Sequence, residues 1–257
     1  LIILSLIIYT LSFRLPLIMN GNSEHKILKN KLSPNVEAKT ILSQKKAYGV
    51  LSTLNRKSFI KNYPYGSIVS FSLDEDGHPF FIFSDISLHT RNILANNSIS
   101  LCVTEYGFCS ASDSRVSITG NLIINEENNN YYKEKYLKYH PGADWINFPD
   151  FKVYSMNEIK DIAFVGGFGR ALKIKVKDYK SASPDPFIFE MDYIIEYINK
   201  HYYKYLIKHL ELDSLKIKNV DSKGINILSN NQVLRVSFDN IANNFDELKY
   251  EIAKLFI

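Results

Sequence analysis

The chain has 257 residues, 46% of them hydrophobic and 13% aromatic, which is enough apolar side chain to bury a full core without disulfide or metal staples. Its 31 Lys and Arg against 27 acids leave a formal charge of +4. No uninterrupted basic run of the kind that marks a nucleic-acid surface stands out, which argues against nucleic acid as a partner. Cys102 and Cys109 form no CxxC pair, and Cys102 falls in a strand-like run, so a reduced, packed thiol in a reducing, cytoplasmic compartment is expected.

The opening LIILSLIIYTLSFRLPLIMN is apolar enough for a signal or an anchor, but Arg14 and Pro16 interrupt it and no basic stretch precedes it. The chain opens on Leu and its first methionine is Met19. An over-long reading frame or an alternative start is therefore favoured over a membrane segment, with a membrane or plastid location as the alternative if residues 1–20 are genuine. Those twenty are excluded from the fold, and 1–32 are treated as an N-terminal extension.

Ser33-Pro34 reads as the cap and first residue of a helix whose buried face carries Ala38, Ile41 and Leu42 and which ends before Gly49. A strand follows over Val50 to Leu54, then a polar loop to Asn62. In the next stretch Val69, Phe71 and Leu73 alternate with serines, Asp76-Gly77 supplies a turn, and Phe80 to Phe83 return as a fully apolar strand, so a hairpin is predicted. A short helix (Leu88 to Asn96) and a strand (Ser98 to Thr104) come next. A longer strand spans Arg115 to Ile124, with Gly120 marking a bulge or a close backbone approach. A Tyr-rich helix (about Glu127 to Tyr139) leads into the loop YHPGADWINFPDF. Strands over Lys152 to Met156 and Ile162 to Val176 then enclose VGGFGRA.

Strands this closely spaced, with short helices between them, predict a mainly antiparallel closed sheet. SASPDP, Ser181 to Pro186, parts two patterned regions and sets the expected boundary between a domain over 33–180 and a small α/β domain over 187–257. In the latter, Met191, Ile194, Ile195, Ile198, Tyr202, Tyr205, Leu206 and Leu210 form a helical stripe. A hairpin (Ile225 to Phe238) follows, and then a helix carrying Phe245, Leu248, Ile252 and Leu255.

Ser84, Ser87, His89, Thr90 and Arg91 gather hydroxyls and cations where the pattern changes from strand to helix. Exposed amides at such a start attract a phosphate or a carboxylate. Taken alone, the plainer reading is preferred, in which Ser87 caps the helix and Arg91 is solvated. VGGFGRA has the spacing of neither a dinucleotide fingerprint nor a phosphate loop. Its glycines permit a bulge or the approach of a flat ligand that Arg170 can meet, and the equal alternative is that they only bend the sheet. His140 suits a turn, His78 a solvated one, and His201 and His209 a helix surface, while no HExxH, GxSxG or paired-Cys zinc pattern appears.

With GVLSTL, YPYGSIVSFSLDEDGHPFFIFSD, LHTRNILANNSISLCV, RVSITGN, YLKYHPGADW and VGGFGRA in this order, the chain resembles the pyridoxamine-phosphate-oxidase-like split β-barrel superfamily, and within it the heme-utilization branch. IIEYINKHYYKYL, VDSKGIN and VLRVSF resemble the small C-terminal α/β domain of that branch. The resemblance implies an α+β fold, an antiparallel split barrel plus that domain, forming a homodimer with the cofactor in a groove between subunits. In flavin-binding relatives the segment matching Ser84 to Arg91 grips the FMN phosphate, and the strand matching Gly66, Ser67, Ile68 and Val69 lines the flavin ring. The same cations, with Arg170, are implied to hold the propionates of heme in heme-binding relatives, and this reverses the preference for a plain capped helix.

Heme is the expected cofactor and FMN the alternative; a non-catalytic dimeric regulator that docks a tetrapyrrole-pathway enzyme is the third reading. The branch ties heme degradation to an axial His in a C-terminal tail. YEIAKLFI holds none, so no iron ligand and no catalytic residue is assigned. Apart from the first twenty residues, no membrane contact is expected.

Overall fold

The computed structural model describes residues 31–256 except 127–128 and 168–169. Helix α1 (Pro34–Leu42) starts where Pro34 follows extended Ser33 and buries Ala38, Ile41 and Leu42. Strands β1 (Tyr48–Leu54), β2 (Pro64–Ser70), β3 (Ser72–Leu73), β4 (Pro79–Ser84), β5 (Ser98–Thr104), β6 (Arg115–Ile124), β7 (Phe151–Val165) and β8 (Ala171–Lys173) form one antiparallel sheet in the order β2-β1-β5-β6-β7-β4-β3, with β8 on β7. Helix α2 (Leu88–Ala95) joins β4 to β5, and α3 (Asn129–Tyr139) lies between β6 and β7. Only Phe71 separates β2 from β3, the two ends of the strand order, so a single bent segment curls the sheet into a barrel.

That bend departs from the regular alternation expected over Val69 to Leu73. Phe71 is buried, but so is Ser72, because the chain turns there to leave β1 and pair with β4. The unbroken apolar run Phe80 to Phe83 has a two-sided cause. Phe81 and Phe83 point into the barrel core with Leu51, Leu101, Ile118 and Phe164, whereas Phe80 and Ile82 pack outside beneath Tyr136, Ile146 and Val153. Truncating any of these phenylalanines is worth about 3–5 kcal/mol.

The Gly120 bulge is present. The β6–β7 register shifts between Thr119 and Gly120, and a Cβ on Gly120 would sit 2.2 Å from the Glu158 carbonyl oxygen. The two strands expected after residue 150 are instead one 15-residue strand, β7, that crosses two register shifts, and Val176 begins helix α4 (Val176–Lys180) rather than ending a strand. Of the predicted helix from Glu127, its first two residues lie outside the described residues.

Beyond Pro186, α5 (Met191–Leu210) and α6 (Phe245–Lys254) pack on the sheet β9 (Lys216–Asp221), β10 (Gly224–Ser229) and β11 (Gln232–Ser237). Met191, Ile194, Ile198, Ile217, Ile225, Ile227, Leu248 and Ile252 make this core, separate from the barrel's. β9 is a strand beyond the expected hairpin; the bulge between Asn226 and Ile227 in its pairing disturbs its period. Polar contacts fasten this unit to the barrel. The Lys218 ammonium is buried between Glu105 and Asp113, 2.6 Å from the latter, and the Asn219 amide donates to the Tyr106 carbonyl at 3.1 Å.

Candidate functional site

Helices α1 and α2 pack against the barrel core and fasten to opposite ends of it. Gln44, just after α1, donates to the Thr104 carbonyl at 2.8 Å, and the Ser114 hydroxyl donates to Glu37 of α1 at 2.7 Å, which places α1 at the end where β5 finishes and β6 begins. α2 takes the other end. Its Asn92, fully buried, donates to the Thr53 hydroxyl at 3.1 Å and accepts the Arg56 amide at 3.3 Å.

The turn into α2 is built by a residue the motif reading missed. The Ser84 hydroxyl donates to the Asp150 carboxylate at 2.5 Å and accepts the Ile86 amide at 3.3 Å, while the Asp85 amide donates to the Asp150 carbonyl at 2.9 Å. Ser84 therefore shapes the turn, and its hydroxyl is already engaged. Ser87 occupies the cap position with extended backbone but makes no side-chain cap bond. The Ser87 side chain thus gives the first-turn amides of α2 no acceptor, and the positive end of the helix is suited to an anion. Thr90 is fully buried and its hydroxyl has no partner among the described residues. Arg91 is exposed and enters no ion pair among the described residues.

His89 packs edge-on against Phe83, ring centres 4.5 Å apart, and burial holds its imidazole below the usual histidine range, so it is neutral at pH 7. Phe83 in turn lies 5.7 Å from Tyr154, whose buried hydroxyl has no partner among the described residues and has its pKa pushed up to about 12, mainly by burial. Orphaned buried polar atoms cost the protein about 1–3 kcal/mol each, and Tyr154 beside Phe83 and Thr90, next to His89 in the chain, each carry one.

Gly66 sits opposite Ser52 on β1, one step from the Thr53–Tyr65 pair that connects to Asn92, so β2 starts beside α2. Ser67 and Val69 turn inward, the latter buried, while Ile68 is 80% exposed and faces the exposed Val50 directly across the ladder. Arg170 is not brought to this group. Ser84 pairs with Phe151 at the start of β7, whereas Arg170 follows the end of the same strand, where Val165 pairs with Ala171. There its guanidinium holds Glu37 at 3.3 Å and the Gly166 carbonyl at 3.2 Å, which ties the β7–β8 turn to α1.

Of the histidines, His78 differs from the solvated turn residue expected. It is largely covered, its amide donates to Asp74 at 2.8 Å, and its buried Nε2 has no partner among the described residues. His140 is buried with Nε2 2.7 Å from the Phe71 carbonyl, a structural role. Arg56 is a further cation brought to α2. Its signal is in the sequence, since residues 38–73 contain six Lys and Arg and no acid, but only the Asn92 bond shows that the loop meets the helix. No group of three metal-ligating side chains exists among the described residues.

Residues 31–181 match the family model described as CREG, β-barrel. Over 260 aligned residues, 92% of this chain and 79% of the relative, the sequence is 27% identical to the non-canonical heme oxygenase HOZ, chloroplastic, of Arabidopsis thaliana. The solved structure of a heme binding protein from Mycobacterium smegmatis is similar with a TM-score of 0.60 at 22% identity, covering 88% of this chain and 97% of that one, a likeness of fold. The uncapped helix at one end of a curled antiparallel barrel thus stands in a known architecture, and the chain belongs to the CREG β-barrel family.

Proposed function

We propose that the protein binds heme, with the propionates held at the start of α2 by its free amides, the Thr90 hydroxyl and the Arg91 guanidinium. The observation that carries the reading is the fully buried Thr90 hydroxyl, without a partner among the described residues, in the first turn of a helix whose cap residue makes no side-chain capping bond. An anionic ligand satisfies both at once. The 27% identical relative, named a heme oxygenase, and the fold neighbour named a heme binding protein agree with this choice of anion. Heme supplies the oxygen chemistry when bound, and the chain's own part is to bind, to orient and to keep His89 neutral beside the cradle.

The site is proposed to be completed by a second copy of the chain. On the outer face of β1 and β2, Tyr48, Val50 and Ile68 are 62%, 47% and 80% exposed and share one side of the ladder with Ser52 and Gly66. A flat apolar strip of this kind at a sheet edge seeks a partner, and two such strips facing each other form a seam beside α2. The unit over residues 187–257 is read as an accessory domain to this dimer.

Hemin titration tests the proposal: a shifted Soret band saturating at one heme per subunit is expected, and absence of saturable binding rejects it. Yellow protein that releases flavin on heating would replace heme by FMN. Oxygen and an external reductant supplied to the heme complex test turnover, read as loss of the Soret band with appearance of an open-chain tetrapyrrole. Light scattering measures the oligomeric state, and a monomer would remove the seam.

A further inference from the structure

We propose that the loop between β1 and β2 docks the protein on an anionic lipid surface, with the Phe59 ring inserted among the headgroups and Lys57 and Lys61 paired to them. The loop is built as a rigid projection. The Asn55 amide donates to the Tyr63 carbonyl at 2.9 Å and the Asn62 amide to the Asn55 carbonyl at 2.8 Å, which closes its neck. The Ile60 amide donates to Lys57 at 3.1 Å within the short 3₁₀ turn Ser58–Ile60, and the Arg56 amide bonds Asn92 of α2. At its tip this framework holds Phe59, 80% exposed, with Tyr63, 67% exposed, at the neck. Arg56, Lys57 and Lys61 are all exposed, and none enters an ion pair among the described residues.

Charge complementarity selects an anionic partner, since no acid lies between residues 38 and 73 to compensate these cations. Shape selects a lipid surface over a protein. A single ring on a loop tip cannot by itself approach the roughly 1,000 Å² that a specific protein interface buries. A bilayer needs only an apolar side chain to insert and cations to meet its headgroups. Because the neck is already ordered by hydrogen bonds, docking costs little conformational entropy. No helix among the described residues is long and apolar enough to cross a membrane. The inference does not depend on the identity of the ligand at α2.

Co-sedimentation of the full chain with phosphatidylcholine vesicles, with and without about a third phosphatidylserine, tests it. Binding that requires phosphatidylserine and is lost at high salt is expected. Phe59→Ser should weaken it about tenfold, and Lys57→Ala with Lys61→Ala by roughly fivefold per cation. Phe59→Trp should keep binding and shift its emission to the blue when anionic vesicles are added. Equal binding to both vesicle types, variants that bind like the parent, or an unshifted Trp would overturn the proposal. So would a change of oligomeric state in Phe59→Ser, because the ring would then belong to a contact between copies of the chain.

Discussion

Replacing Thr90 by Val separates what the fold needs from what the ligand needs. Val has nearly the same shape and the same β-branching, so the first turn of α2 keeps its packing. The hydroxyl removed is fully buried and bonded to nothing among the described residues. An unsatisfied buried hydroxyl costs about 1–3 kcal/mol, so the ligand-free variant should be more stable than the parent by about 1 kcal/mol, seen as a rise of about 2–4 °C in Tm for a chain of this size. Heme affinity should move the other way. A hydrogen bond to a charged propionate is worth about 1.5–3 kcal/mol, so the Kd from hemin titration should rise roughly ten- to 150-fold, while Thr90→Ser should retain most of the affinity. A less stable Thr90→Val protein would mean that the hydroxyl supports the fold. Unchanged heme affinity would remove Thr90 from the cradle.

The remaining predictions concern the frame that holds this site. Lys218→Met strands Glu105 and Asp113, both largely covered, without their cation; urea denaturation should show a loss of about 3–5 kcal/mol, largely recovered by adding Glu105→Gln and Asp113→Asn. Gly120→Ala forces a methyl group to within 2.2 Å of the Glu158 carbonyl oxygen, so a loss of more than about 2 kcal/mol is expected in the same assay, and a neutral result would mean that the bulge yields freely. Burial lowers the pKa of His140, even though its bond to the Phe71 carbonyl raises it, so the unfolded chain binds more protons. Its contribution to stability is therefore complete above the unfolded value of about 6.5 and falls as pH drops below it. The stability difference between parent and His140→Gln should shrink from pH 7.5 to 5.5, and a difference that grows would contradict the sign.

The strands legible in the sequence were those whose two faces meet different surroundings. Arg115 to Ile124 alternates because one side enters the core, and Gly120 stands out because no other residue leaves room for a neighbouring carbonyl. The β2–β3 bend was hidden, since a strand that changes partners at Phe71 keeps the composition of a continuous one. β7 was divided in two because its register shifts reset the period that pattern reading relies on.

At the site, local sequence determined the helix start itself: Ser87, His89, Thr90 and Arg91 are neighbours in the chain, and a strand that stops at Ser84 must open a helix there. Tertiary structure alone decided which of those side chains stay free. Asp150, 66 residues on, occupies the Ser84 hydroxyl, Glu37 holds Arg170 at the opposite end of β7, and the fold leaves Thr90 buried without a partner among the described residues. Hydrogen bonding between residues far apart in the chain leaves no periodic trace in sequence, and it is this bonding that decides whether a polar group is structural or available to a ligand.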